Sequence, residues 1–177
     1  MSGDPARGQR RLGGWMIAAM WLLLLGLLTL LFDGLLERWT NPNPEPAGRA
    51  AGGVREVVLQ RNRYGHYVAT GRINGTEVVF MLDTGASDVS VPAALAPRLG
   101  LERLAPAVYQ TARGPMRAWR TRIARLELGP IVLTDLPASL NPHVEAEEPV
   151  LLGMTALKRL EFTQRGDTLV IRQHAAP

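Results

Sequence analysis

Asp83 is the carboxylate best placed for chemistry in this chain. It ends the apolar run Val78-Val79-Phe80-Met81-Leu82. Thr84 and Gly85 follow at once, then Ala86-Ser87-Asp88 and a second short run, Val89-Ser90-Val91. A β-branched apolar run of this length reads as a buried strand, and a glycine just after it lets the chain turn sharply. The carboxylate therefore leaves a strand too apolar for the surface and enters a partly desolvated site. Other constellations are poor. The three histidines, His66, His143 and His174, show no metal-helix spacing. Ser87 and Ser90 lack a glycine-flanked nucleophile elbow. The chain has no cysteine, which removes thiol chemistry, disulfides and cysteine-based zinc sites. Glu145, Glu147 and Glu148 read as a solvated acidic loop rather than a cation site, so no metal is expected.

A second stretch bears on the first. Val150-Leu151-Leu152-Gly153-Met154 lies about seventy positions after Asp83. The segment Phe80 to Ser87 resembles the hydrophobic-hydrophobic-Asp-Thr-Gly-Ala-Ser active-site stretch of aspartic proteases. Val150 to Met154 resembles the hydrophobic-hydrophobic-Gly element that crosses behind the catalytic loop in retroviral-type members. Over Val54 to Gln173 the chain is similar to the retropepsin-like aspartic proteases, and within them to the membrane-anchored, single-domain bacterial type. That resemblance implies an all-β fold, a closed barrel like one half of an acid protease, with one or two short helices. It implies Asp83 as the catalytic carboxylate. Thr84 would lock two such loops together, Gly85 would allow close approach to the scissile bond, and Ala86 would keep the floor small. A glycine-containing hairpin around Ala112-Arg113-Gly114-Pro115 would be the flap over the substrate, with Arg113 and Gly114 at its tip. Asp88 falls at a substrate-lining position; its bland alternative is an ordinary turn residue. No metal or organic cofactor is implied.

Peptide hydrolysis by this route needs two carboxylates sharing one proton around one water. One acts as base toward the water, and the other, protonated, donates to the substrate carbonyl. One Asp-Thr-Gly and about 120 residues of domain leave no room for a second lobe. Two copies must meet on a two-fold axis, each supplying Asp83. The expected function is a homodimeric aspartic endopeptidase acting on protein or peptide substrates. The alternative is a catalytically silent dimer that binds peptides in the same cleft; a membrane-tethered adaptor is a third, weaker reading.

The elements around Asp83 follow from pattern. Residues 1–14 carry Arg7, Arg10 and Arg11 and form the expected cytoplasmic N-terminus. Trp15 to Phe32 then runs eighteen residues without a charge, about 27 Å as a helix and enough to cross a bilayer. The preceding arginines and the flanking Trp15, Trp21 and Trp39 predict a single-pass anchor with the following domain outside the cytoplasm, on the periplasmic side of an inner membrane. A cleaved signal peptide is disfavoured, because Asp33-Gly34-Leu35-Leu36 offers no small-x-small site. Residues 33–53, rich in proline and glycine, read as a stalk, and the protease domain as 54–174. Within it, Asn74-Gly75 between two β-rich runs is a hairpin signal leading into Asp83. Val54 to Leu59 is a terminal strand free to pair across subunits. Pro92 to Leu99 and Met154 to Leu160 read as short helices. Arg165-Gly166-Asp167 turns a closing hairpin. The net charge of +4 is carried almost wholly by arginine spread along the chain, which argues against a nucleic-acid partner.

Overall fold

The computed structural model describes residues 5–111 and 114–174. Two compact units make up the chain, Met1–Trp39 and Thr40–Pro177. The first holds a helix, α1 (Pro5–Thr40), whose Trp15–Phe32 stretch has a mean hydropathy of 2.3 and is long and apolar enough to cross a membrane. A membrane span and a signal sequence both fit that helix.

The second unit is a β structure in two sheets. The larger contains β3 (Val68–Ile73), β4 (Thr76–Leu82), β5 (Val89–Pro92), β6 (Pro106–Thr111), β7 (Gly114–Leu128), β8 (Ile131–Asn141) and β9 (Val150–Leu152). Their order is β3-β4-β9-β5-β8-β7-β6, and β3 also pairs with β7, which curls the sheet back on itself. The smaller sheet has the order β1-β2-β11-β10, from β1 (Ala47–Ala51), β2 (Val54–Gln60), β10 (Glu161–Arg165) and β11 (Thr168–His174). One core joins them: Phe80, Val89, Val91, Leu140 and Leu152 from the large sheet, with Val57, Leu59 and Ile171 from the small one, are all fully buried. The all-β expectation is met, and the two short helices are α2 (Ala96–Leu99) and α3 (Met154–Leu157). Met154–Leu157 is shorter than the helix read from sequence. Asn74 and Gly75 both have positive φ, 50° and 83°, as the two-residue turn between β3 and β4 requires.

Residues 41–53 do not form a stalk. The packed unit begins at Thr40, and Asn43 is buried within it. The Asn43 amide Nδ2 donates to the carbonyls of Gln60 (2.9 Å) and Val68 (2.7 Å), while its Oδ1 accepts the Gln60 N–H at 2.7 Å. Asn41 Nδ2 donates to Thr70 Oγ1 at 2.9 Å. β1 then pairs antiparallel with β2 along its whole length. Since β11 occupies the other side of β2, the strand read as free to pair across subunits has both edges filled within its own chain.

Asn43→Ala should therefore cost about 2 kcal/mol or more, because it strips partners from the buried Val68 carbonyl and from the part-buried backbone of Gln60. Denaturant unfolding of the full chain measures this; a change within about 0.5 kcal/mol would show that the Asn43 contacts do not hold the segment.

Candidate active site

The Asp83 loop is set by three strands. β4 enters it, β5 leaves it, and β9 lies between them, parallel to β4 (Phe80↔Val150, Leu82↔Leu152) and bridged to β5 at Ser90↔Leu151. Val78 and Phe80 of β4 and Val150 and Leu152 of β9 face the core, so the loop emerges where that packing ends. The Asp83 N–H donates to the Leu152 carbonyl at 3.2 Å, and the Met154 N–H donates to the Ala86 carbonyl at 2.9 Å. The Leu152-Gly153-Met154 segment thus grips the loop at both shoulders. Gly153 has an ordinary extended backbone, φ −92°. Its need for glycine is one of space, because a Cβ there would lie 2.7 Å from the Ala86 carbonyl oxygen and closer still to that of Asp88.

Inside the loop, Asp83 Oδ1 accepts the Gly85 N–H at 2.8 Å, and the Ala86 N–H donates to the Asp83 carbonyl at 3.2 Å. The Asp83 side chain is thereby held in one orientation at a half-buried position, with Thr84 and Gly85 exposed beside it. Asp83, Thr84, Gly85 and Ala86 form one tight turn, as their sequence order requires.

Asp88 lies at the start of the return strand. Its Oδ1 accepts a hydrogen bond from Ser139 Oγ at 3.0 Å. The hydroxyl of Tyr109, on β6, also bonds this carboxylate. Through Tyr109 the β6–β7 hairpin reaches the Asp83 loop. Gly114, the first residue of β7, has φ 104°, a conformation glycine adopts freely. Arg113 lies outside the described residues. Sequence reasoning had no means of finding Ser139 and Tyr109, which sit on strands 51 and 21 positions away from Asp88 with no local motif. Among the described residues, no three histidine, cysteine or acidic side chains cluster as a metal site would need.

Burial pushes the Asp88 carboxyl above the usual carboxylate range, and the Ser139 and Tyr109 hydrogen bonds pull it part of the way back. The folded protein therefore holds this proton more tightly than the unfolded chain does. Its contribution to stability is full below the unfolded value and is lost as pH rises through the raised folded value. Asp88→Asn, which stays neutral, should gain in melting temperature relative to the parent between pH 4 and pH 7. Thermal unfolding at the two pH values tests this, and an unchanged difference would rule it out.

The chain is similar to known proteins. Residues 69–159 match the sequence profile described as "gag-polyprotein putative aspartyl protease". The chain is similar to an uncharacterised protein from the cobV 5′ region of a Sinorhizobium species, 32% identical over 127 residues, covering 68% of this chain and 53% of the relative. It is also similar to an uncharacterised protein of Rickettsia prowazekii, 31% identical over 124 residues, covering 67% and 52%. The chain spans about half the length of these curated relatives. Among solved structures, a retropepsin-like aspartic protease from Rickettsia conorii superposes with a TM-score of 0.59 at 27% identity, covering 75% of this chain and 98% of that one. The matched span takes in both Asp83 and the Gly153 crossing, and on that ground the chain belongs to the retropepsin-like aspartic protease family.

Proposed function

We propose that this protein is an aspartic endopeptidase that works as a homodimer, each subunit contributing one Asp83. The observation that carries the reading is the oriented Asp83 carboxylate at the end of a core strand, in a loop braced by Leu152-Gly153-Met154, within a family-matched span. One carboxylate cannot be acid and base in the same step, and the sequence carries a single Asp-Thr-Gly. The paired loops supply both. Like charges a few ångströms apart cannot both ionise, so one Asp83 keeps its proton and donates to the substrate carbonyl while the other takes a proton from water. In this reading Thr84 joins the two loops, and Gly85 and Ala86 leave room for the peptide. The β6–β7 hairpin, with Gly114 and Arg113 at its end, covers the substrate, and Asp88 lines the site beside it.

The same proposal places the domain beyond a membrane. The apolar Trp15–Phe32 stretch is an uncleaved anchor, and Arg7, Arg10 and Arg11 hold its N-terminal end in the cytoplasm. Peptide-library cleavage by the full chain in detergent micelles tests the activity. Resistance of the chain to alkaline extraction from membranes, at its full mass, tests the anchor. Peptide capture without cleavage, from a protein shown to be dimeric, would favour the silent-binder alternative.

A further inference from the structure

Among the described residues, the small sheet leaves two strand edges unpaired, the outer sides of β1 and β10. We propose that β10 is where a second copy of this chain docks, by antiparallel pairing of β10 with the partner's β10 about a two-fold axis at Thr163. The inference rests on the reading of Asp83 as half of a shared site and names the surface that brings the halves into one particle.

Main-chain geometry allows the pairing. β10 and β11 are joined by the two-residue turn Gly166-Asp167, with Gly166 at φ 59°. Such a turn closes on a hydrogen-bonded pair, here Arg165↔Thr168. Bonding alternates along an antiparallel ladder. The backbone groups of residues 161, 163 and 165 therefore face β11, and those of Phe162 and Gln164 face outward. With the axis at Thr163, Phe162 meets the partner's Gln164 and Gln164 meets the partner's Phe162. Both of these are pairs that exchange hydrogen bonds, so the outward groups are satisfied.

Side chains favour the same register. On one face, the strand partners Arg49, Glu56, Arg172 and Glu161 form a row across all four strands. Its charges alternate, with Arg49–Glu56 at 2.9 Å, Arg172–Glu56 at 2.6 Å and Arg172–Glu161 at 3.5 Å. Glu161, which His174 Nε2 also approaches at 2.9 Å, ends the row at the open edge. The proposed register sets the partner's Arg165 directly opposite Glu161 and extends the alternation into the second copy. Opposite charges across strands stabilise the pair, and like charges oppose it. On the other face, Phe162, Ile171, Val57 and Gly48 form the adjacent row. Ile171 and Val57 are fully buried, while Phe162 stays 43% exposed at the edge, where a second copy would cover it. β1 fares worse: its symmetrical pairing sets Arg49 against the partner's Arg49, and its other residues are alanine and glycine.

The absence of native cysteine gives a clean test. In a non-bonded antiparallel pair the Cα atoms lie about 4.5 Å apart, within disulfide range. Full-length chain carrying Thr163→Cys, oxidised mildly in detergent micelles, should run as a covalent dimer on a non-reducing gel, and Gln164→Cys should do so far less. Placed on the Thr163→Cys background, Glu161→Lys or Arg165→Glu alone creates two like-charge pairs per dimer and should cut cross-linking at least about fivefold. Mixing the two variants makes both pairs attractive again and should restore a heterodimeric cross-link. Cross-linking at residue 163 no greater than at 164, or variants that cross-link like the parent, would overturn the proposal. The gel reads the interface without activity. A cross-linked dimer that cleaves nothing would remove the peptidase reading and leave the interface; cleavage without the cross-link would do the reverse.

Discussion

Asp83→Asn should abolish peptide cleavage, with kcat/KM falling more than about 10⁴-fold, because the proposed dimer loses its acid and its base together. The fold should survive the change. Asp83 Oδ1 accepts one hydrogen bond, from the Gly85 N–H, and the amide oxygen of asparagine can accept it equally well. Mixing gives the sharper result. When parent and variant subunits are exchanged at equal amounts, about one quarter of the dimers carry two Asp83 residues. Activity should then fall to about a quarter of the unmixed value at the same total concentration. A fall to one half would mean that each subunit works alone, and the shared-site reading would be lost. A variant that still cleaves at the parental rate would remove Asp83 from the chemistry.

The second large effect is expected at Gly153. The Cβ of alanine there would press on two backbone oxygens, of Ala86 and Asp88, which belong to the Asp83 loop itself. Neither can swing aside as a side-chain tip could. The loop must move away from β9, straining the 2.9 Å hydrogen bond between the Met154 N–H and the Ala86 carbonyl. Overpacking of this kind costs about 1–3 kcal/mol. A displacement of the reacting group by about 1 Å can by itself lower the rate about 100-fold. Gly153→Ala should therefore lower the melting temperature and reduce cleavage by at least two orders of magnitude, with the rate loss larger than stability alone explains. A variant that melts and cleaves as the parent does would show that the loop tolerates the intrusion.

These two positions mark what could be read from the chain before its structure. Asp83 and Gly153 were visible because each sits in a short, contiguous apolar pattern: the loop chemistry is local, and so is its signal. The Asn74-Gly75 and Gly166-Asp167 hairpins were legible for the same reason. β1 was not. Ala47-Gly48-Arg49-Ala50-Ala51 has neither apolar alternation nor β propensity, and every residue of it is exposed. It is a strand because β2 offers it an edge, a reason that lies elsewhere in the chain. Asn43 was hidden by its neighbours, since Asn-Pro-Asn-Pro reads as loop whether or not the asparagine is buried. The contact of Tyr109 and Ser139 with Asp88 joins three strands by side chain alone, and a strand pattern indicates which face a residue occupies but not what it meets. β7 and β8 proved longer than their apolar segments, since β7 carries an arginine at every second or third position from Arg117 to Arg125.

The small sheet has one more consequence. Its four strands come from a single chain, so the hydrogen bonding that holds the two ends of the domain together is satisfied without any exchange of segments between molecules. Folding would then be a first-order event, indifferent to how many copies are present, whereas completing the proposed two-Asp83 site would be second-order. Under the proposed shared site, a subunit whose sheet is closed within its own chain would stay chemically inert until it collided with another. Crowding in the plane of a membrane would raise the frequency of that collision. In the proposed dimer, local abundance would thus set how much of the two-Asp83 site is complete.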